Sequence, residues 1–159
     1  MPGLIDVHHH FMSQAYLDAV GVERAASPGS AGHVEPWTAA QSLEFMDLAG
    51  IEISILSVSA PGIDMGSPQK TASLARTCNE EQAEIVRNNP DRFGFLAILP
   101  LPDIDASLRE IAHAFDVLKA DGVVMMSNYG GEYIGSSKFW PVFEELNRRK
   151  AVAFFHPVA

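Results

Sequence analysis

The sequence predicts an α/β protein in which parallel strands alternate with helices. Three features support this prediction: short runs that are almost continuously apolar, helical periodicities between them, and crossover lengths suited to right-handed strand–helix–strand units. After the first strand, the apolar runs are IEISILSV (51–58), FGFLAILPL (93–101), GVVMM (122–126) and AVAFF (151–155). Such runs are typical of strands that are buried on both faces of a parallel sheet.

The first strand is predicted within LIDVHHHFM, residues 4–12, which holds three of the six histidines of the chain. A purification tag is the simplest other explanation, but a tag is usually longer and does not directly follow an apolar run. His8 and His10 are two residues apart, so in a strand their side chains leave the same face and His9 points the other way.

Four helices are predicted between the strands. Apolar residues at the spacing i, i+3, i+4, i+7 predict one helix over 108–118, after the N-cap candidates Asp103 and Asp105, and another over 139–146. Residues 67–88 are predicted as a third helix with Ser67 as its N-cap, and residues 37–49 as a fourth that stops at Gly50. The stretch ERAASPGSAGHVEP (23–36) has the composition of a loop or a mobile flap.

Composition predicts one globular domain over residues 1–159, with 47% hydrophobic and 19% charged residues. The formal charge of -9 argues against nucleic acid or an anionic membrane surface as a partner. The chain has no apolar run near the ~20 residues that span a bilayer and no signal-peptide pattern at its start, so a cytoplasmic location is expected. Cys78 is the only cysteine and is expected to be a small buried residue.

The histidines next to strand ends predict a metal site. His156 directly follows the last apolar run, and the carboxyl ends of parallel strands surround one rim, so His8, His10 and His156 are expected to meet there. Three neutral imidazoles can bind Zn²⁺ and leave one position open for water or substrate. Asp6 either orients an imidazole or caps a loop, and His9 is expected to pack or to form hydrogen bonds.

Other polar residues at predicted strand ends are weaker candidates. Asn128 and Tyr129, in SNYGGEYIGS (127–136), either line a pocket or form a plain turn. Ser57, Ser59 and Pro61 close the second strand, and a structural role is favoured for them. His33 and His113 are expected to be ordinary surface or hydrogen-bonded histidines. The chain has no phosphate-binding glycine motif and no serine elbow, which excludes those enzyme classes.

Five strands fit either a small open doubly wound sheet or the first part of a barrel, since an eight-stranded barrel takes ~250 residues. Several stretches together carry a resemblance to a known family: IDVHHHF, FMDLAGIEISILSVSAPG, LARTCNE, NPDRFGFLAILPLPD, DGVVMMSNYG, FWPVFEELNRR and FFHP. With these stretches the chain resembles the N-terminal half of amidohydrolase-related proteins, in the branch of aminocarboxymuconate-semialdehyde decarboxylase and 6-methylsalicylate decarboxylase-like proteins.

The resemblance implies a (β/α)8 TIM barrel, here an incomplete one of about five β/α units that is truncated after the fifth strand. It implies a divalent metal, usually zinc, held by His8, His10 and His156, and no organic cofactor. The family's further histidine and its metal-binding aspartate would lie beyond residue 159, so the catalytic residues stay unknown. Asn128 and Tyr129 are the candidate substrate contacts.

The resemblance also implies a reaction, which is non-oxidative decarboxylation of an aromatic or conjugated carboxylic acid. Hydrolysis of an ester, lactone or amide by a metal-activated hydroxide is a second hypothesis, and a non-catalytic fragment is a third. The expected partners are a small carboxylic-acid substrate and a second copy of the chain, as a homodimer. An open sheet edge would favour such self-association.

Overall fold

The computed structural model describes residues 3–26 and 34–158 of the chain. Its strands are β1 (Leu4–His10), β2 (Ile51–Ser57), β3 (Phe93–Ile98), β4 (Gly122–Met126), β5 (Asn128–Tyr129), β6 (Glu132–Tyr133) and β7 (Val152–His156). Its α-helices are α1 (Gln14–Val20), α2 (Val22–Ala25), α3 (Ala39–Ala49), α4 (Pro68–Asn88), α5 (Ile104–His113) and α6 (Trp140–Arg149). A π-helical turn (Ala114–Leu118) continues α5, and a 3-10 turn (Ser137–Phe139) precedes α6. Among the described helices, none is both long and apolar enough to cross a membrane.

Five strands form one parallel sheet in the order β1–β2–β3–β4–β7, which is also their order along the chain. Right-handed crossovers that always step in the same direction place the connecting helices on one face, so the sheet curls as a barrel does. A doubly wound sheet would instead step back across its first strand. The α/β prediction is therefore confirmed as an incomplete barrel, and the doubly wound alternative is wrong.

The central strands carry the core of the sheet. Every residue of β3 and β4 is buried, whereas the edge strand β1 is largely exposed and the edge strand β7 is half-buried. Along β4, Val123 and Met125 join the apolar cluster formed with α5 and α6, while Val124 and Met126 join the larger cluster of the sheet. Burial on both faces explains why the sequence of this strand is continuously apolar rather than alternating.

The helix ends largely follow the predicted capping chemistry. The Asp103 carboxylate accepts a hydrogen bond from the backbone N–H of Ala106 at 2.9 Å and so caps α5. Gly50 ends α3 in the left-handed conformation, with a φ of 71°, that glycine adopts without a steric penalty. Ser67 occupies the N-cap position of α4, but its side chain makes no capping hydrogen bond.

The structure differs from the sequence prediction at three places. Two short helices, α1 and α2, lie between β1 and β2, and they are too short to give a clear periodicity. The loop predicted over 23–36 therefore begins inside α2, and residues 27–33, including His33, lie outside the described residues. Strand β3 ends at Ile98 rather than at residue 101, in front of Pro100 and Pro102, which cannot donate to a sheet.

Cys78 is fully buried on α4, as the sequence predicted. Burial raises the pKa of its thiol to about 12. The reactive thiolate form is therefore disfavoured, and the side chain serves as a small apolar residue of the core.

A buried polar network attaches α4 to β3 and α5. Asn79 donates from Nδ2 to the carbonyl of Ile98 at 3.0 Å and accepts from the N–H of Ile98 at 2.8 Å. The same amide donates to the Glu110 carboxylate at 2.8 Å, and Arg76 donates two N–H groups to that carboxylate. Asn79 satisfies both backbone groups of Ile98 and thereby fixes the carboxyl end of β3, which forms part of the rim at the strand ends.

We expect Asn79→Ala to lower the free energy of unfolding by about 2–4 kcal/mol, because two buried backbone groups of Ile98 lose their partner. Urea unfolding followed by circular dichroism measures this loss. The matched control is Asn88→Ala at the exposed end of α4, which should change the same free energy by less than about 0.5 kcal/mol. Equal losses in the two variants would contradict the role given to Asn79.

Candidate metal centre

Strand β1 carries two of the candidate metal ligands, and an irregularity in its pairing lies beside them. Asp6 is opposite Ser54 and His9 is opposite Leu56, so β1 has one residue more than β2 over this interval. An extra residue of this kind is a β-bulge, which bends a strand and changes the direction of its side chains. His8 and His10 leave the strand on the same side, and their Nε2 atoms are 2.9 Å apart.

His156 reaches the same place through the parallel pairing of β7 with β4, in which it lies opposite Met126. Its Nε2 atom is 3.2 Å from Nε2 of His10, although 146 positions separate the two residues. One ring nitrogen from each of the three histidines lies within 4.8 Å of the others, and this is the one such group of metal-ligating side chains among the described residues. The sequence-predicted trio is thus brought together at one rim.

The hydrogen bonding of His156 and the pKa of His10 suit a metal. The Nδ1–H of His156 donates to the carbonyl of Pro157 at 2.8 Å, which leaves the lone pair of Nε2 free to bind a cation. Partial desolvation of the ring by the groups packed around it, together with the neighbouring His8 and His156, lowers the pKa of His10 to about 4. A neutral imidazole is the form that binds a metal, so His10 does not have to lose a proton first near neutral pH.

His9 points away from the trio and forms hydrogen bonds, as its position in the strand predicted. Its Nδ1 atom lies 3.0 Å from an Asp6 carboxylate oxygen, and its Nε2 atom lies 2.5 Å from the Ser42 hydroxyl on α3. The other Asp6 oxygen accepts from the backbone N–H of His8 at 3.0 Å. Asp6 therefore bonds the imidazole of His9, which lies outside the trio, and the backbone of His8, which belongs to it.

A cleft of about 280 Å³ opens at the carboxyl ends of β3 and β4. It adjoins the trio through Met126, which is opposite His156 in the sheet, and Val158, which follows two residues after it. Much of the lining is apolar, as in sites that bind small ligands, and a few polar groups are set into it. The polar lining includes Arg24, Asp64, Asn128 and Tyr129.

Asn128 and Tyr129 line this cleft from β5, a strand of a small hairpin rather than a plain turn. Their hydrogen bonds also hold the rim together. Asn128 donates from Nδ2 to the carbonyl of Val158 at 3.0 Å, and the Tyr129 hydroxyl accepts from the N–H of Met126 at 2.9 Å. Burial raises the pKa of Tyr129 to about 12, although the bond from Met126 opposes the shift, so its O–H remains available as a donor.

The remaining predicted residues have structural surroundings. Ser57 and Ser59 are buried at the end of β2, and Pro61 lines the cleft. His113 lies on α5 with Nε2 3.6 Å from the Glu80 carboxylate, outside the trio. The structural role favoured for Ser57, Ser59 and Pro61 and the ordinary role expected for His113 stay predictions.

Sequence reasoning missed Arg24 and Ser42. Arg24 lies on α2 and donates from Nη1 to the carbonyl of Asp64 at 2.7 Å, which brings a cation to the wall of the cleft. Ser42 lies on α3 and reaches His9 across 33 positions of sequence. Helix α2 has four residues and α3 carries its serine as one polar residue among several, so neither position has a local signal.

A family model described as "Amidohydrolase" matches residues 5–158. The chain is 43% identical over 159 residues to "Decarboxylase yanB" of Aspergillus niger, which covers 96% of this chain and 43% of that protein. It is 42% identical over 157 residues to "6-methylsalicylic acid decarboxylase acuB" of Aspergillus aculeatus, covering 96% and 47%. The crystal structure of 5-carboxyvanillate decarboxylase LigW from Sphingomonas paucimobilis matches with a TM-score of 0.87 at 25% identity, covering 100% and 53%. The chain thus spans about half the length of these relatives.

The raised pKa of Tyr129 predicts a pH dependence. The folded protein keeps the phenolic proton of Tyr129 up to about pH 12, whereas an unfolded tyrosine loses it near pH 10. The contribution of Tyr129 to the free energy of unfolding is therefore complete below pH 10 and is lost as the pH rises toward 12. Ultraviolet absorbance of phenolate should give a Tyr129→Phe difference curve with its midpoint near pH 12. A midpoint at the ordinary value of 10 would mean that Tyr129 is not buried as described.

Proposed function

The chain belongs to the amidohydrolase family, and from this premise we propose that it takes part in the metal-dependent, non-oxidative decarboxylation of an aromatic carboxylic acid. The observation that carries the proposal is the convergence of one nitrogen from each of His8, His10 and His156 within 4.8 Å. The relatives named above as decarboxylases support the choice of reaction. Because the chain spans about half of their length, the activity, the substrate and the partners of the whole protein are part of the proposal.

The three histidines fit a zinc ion. Ligand nitrogens of a tetrahedral zinc site are ~3.3 Å apart, as follows from Zn–N distances of about 2.0–2.1 Å. Two of the three separations, 2.9 Å between His8 and His10 and 3.2 Å between His10 and His156, are near that value, and all three lie within 4.8 Å. Uncharged imidazole is a donor that zinc accepts well. His8 and His10 are exposed while His156 is buried, so the trio stays open to a substrate on one side.

When bound, a divalent metal would supply Lewis-acid polarisation of a substrate oxygen. His8, His10 and His156 would hold that ion at the rim, with the His156 ring oriented by its bond to Pro157. The apolar wall formed by residues such as Leu99 and Met126 would take the aromatic ring and exclude water from it.

Arg24 is the one cation among the described residues that line the cleft, and we assign it the attraction of the negatively charged substrate. The Tyr129 hydroxyl, protonated over the physiological range, would donate a hydrogen bond to a substrate oxygen. In the reaction, the bond between the ring carbon and the carboxyl carbon breaks, carbon dioxide leaves, and a proton drawn from solvent takes its place on the ring carbon.

We also propose that the chain associates with itself, as the homodimer expected from the sequence. Large apolar side chains are exposed on both edge strands, Leu4, Ile5 and Val7 on β1 and Val152 and Phe155 on β7. Unpaired parallel edges with such side chains favour pairing with another chain. The cytoplasmic location stays a prediction.

We expect the purified 159-residue chain to bind about one zinc ion, and each of His8→Ala, His10→Ala and His156→Ala to raise the zinc dissociation constant by more than about 100-fold. Loss of a group that bonds to a ligand lowers the metal affinity by about 10–100-fold, and loss of the ligand itself should lower it further. Competition with a chromophoric chelator measures the constant.

The matched control is His113→Ala, which removes a histidine outside the trio and should leave the zinc affinity unchanged. Binding that survives removal of His156 would contradict the assigned ligand set. A loss of affinity in all four variants would point to general destabilisation instead.

The reaction is tested with 6-methylsalicylic acid as the substrate of the zinc-loaded chain. We expect carbon dioxide and 3-methylphenol in equal amounts, because the carboxyl group is replaced by a proton, and no product from His156→Ala. The methyl ester of 6-methylsalicylic acid is tested alongside. Release of the free acid from this ester without carbon dioxide would favour the hydrolase alternative, which an open metal position also allows. No turnover of either compound would mean that this chain is a non-catalytic unit.

A further inference from the structure

Three side chains behind the trio form a continuous hydrogen-bonded chain. The Asp6 carboxylate accepts from Nδ1–H of His9 at 3.0 Å, which makes Nε2 of His9 the acceptor, and the Ser42 hydroxyl then donates to that Nε2 at 2.5 Å. Asp6 and His9 belong to β1, whereas Ser42 belongs to α3. These hydrogen bonds therefore connect β1, which carries two candidate ligands, to α3, which packs outside it.

The same carboxylate also holds the backbone between the two ligand positions. The second oxygen of Asp6 accepts from the backbone N–H of His8 at 3.0 Å. This N–H lies inside the bulge, between Asp6 opposite Ser54 and His9 opposite Leu56, where the regular ladder with β2 is interrupted. The Asp6 side chain thus replaces the missing ladder bond at His8, one of the candidate ligands.

A serine, a histidine and an aspartate in this order also occur in hydrolases, but a nucleophilic role does not fit here. Ser42 is only 6% exposed. The neighbouring cleft is lined by Phe11 and Trp37 but by neither Ser42 nor His9. A substrate therefore has no described path to the hydroxyl, and the chain of hydrogen bonds serves to fix geometry.

We propose that Asp6, His9 and Ser42 are positioning residues, which lock the bulge of β1 so that His8 and His10 point at His156. His9 is held on the outer face by Asp6 and Ser42, and the residues on either side of it must then point inward. The inference deepens the proposed function, since it rests on the metal site formed by the trio.

The test compares Ser42→Ala and Asp6→Asn with the wild-type chain and with Ser54→Ala. The control removes the hydroxyl of a buried serine that lies on the neighbouring strand and has no hydrogen-bond partner in the described structure. The zinc dissociation constant should rise about 10-fold in Ser42→Ala and Asp6→Asn, at the lower end of the effect of groups behind a ligand, and should not change in Ser54→Ala. Ser42→Thr, which keeps the hydroxyl, should restore the affinity.

A readout without metal separates this inference from the proposed function. In the metal-free chain labelled with ¹⁵N-histidine, the ring signals of His8 and His10 should move in Ser42→Ala and Asp6→Asn, while the signal of His113 stays in place. If the wild type binds no zinc but these signals move, the proposed metal function fails and the positioning role stands.

Two results would overturn the positioning role. One is a set of unmoved His8 and His10 signals, whatever the zinc affinity. If the melting temperature also falls in those variants, the three residues serve only as ordinary support of the fold. Labelling of Ser42 by a fluorophosphonate would also overturn it, because the hydroxyl would then be an accessible nucleophile.

Discussion

The parallel pairing of the five-stranded sheet is the constraint on which the other features depend. Each pair of strands fixes which residues share a height along the barrel, and the constant direction of the crossovers makes the sheet curl. Curling brings the two edge strands to face each other, although they are not neighbours in the sheet. The rim histidines of β1 can therefore meet the last residue of β7, and no single loop has to carry the site.

The rim is held in place by polar bonds from the outside of the sheet. Asn79 satisfies the backbone of Ile98 at the end of β3, and Asp6 satisfies the backbone of His8 at the bulge of β1. In both places an interrupted or ending ladder would leave backbone groups unpaired, and a side chain supplies the partner. A helix side chain in one place and a strand side chain in the other thus hold the backbone at the rim.

The same architecture explains the contrast between the two kinds of strand. The central strands are buried on both faces, whereas the edge strands leave apolar residues such as Ile5 and Val152 open to solvent. An ordinary globular surface rarely places such residues side by side along unpaired backbone. The half-barrel therefore combines a buried core with two sheet edges that can pair with another strand, and its candidate site lies between those edges.

The sequence by itself determined the features that depend on local order. The positions of the five strands follow from continuously apolar runs, and the cap at Asp103 follows from its place before a helical periodicity. The burial of Cys78 follows from its place on a predicted helix face, and the opposite directions of His9 and its two neighbours follow from the alternation of side chains along a strand. Only the tertiary structure decided which distant residues touch. The sequence predicted that His10 and His156 share one rim, but only the structure gave their separation of 3.2 Å. The bond of His9 to Ser42 across 33 positions and the approach of Arg24 to the cleft were not predicted. Those contacts depend on strand register and on the curvature of the sheet, which are properties of the whole packed chain and leave no mark at a single position.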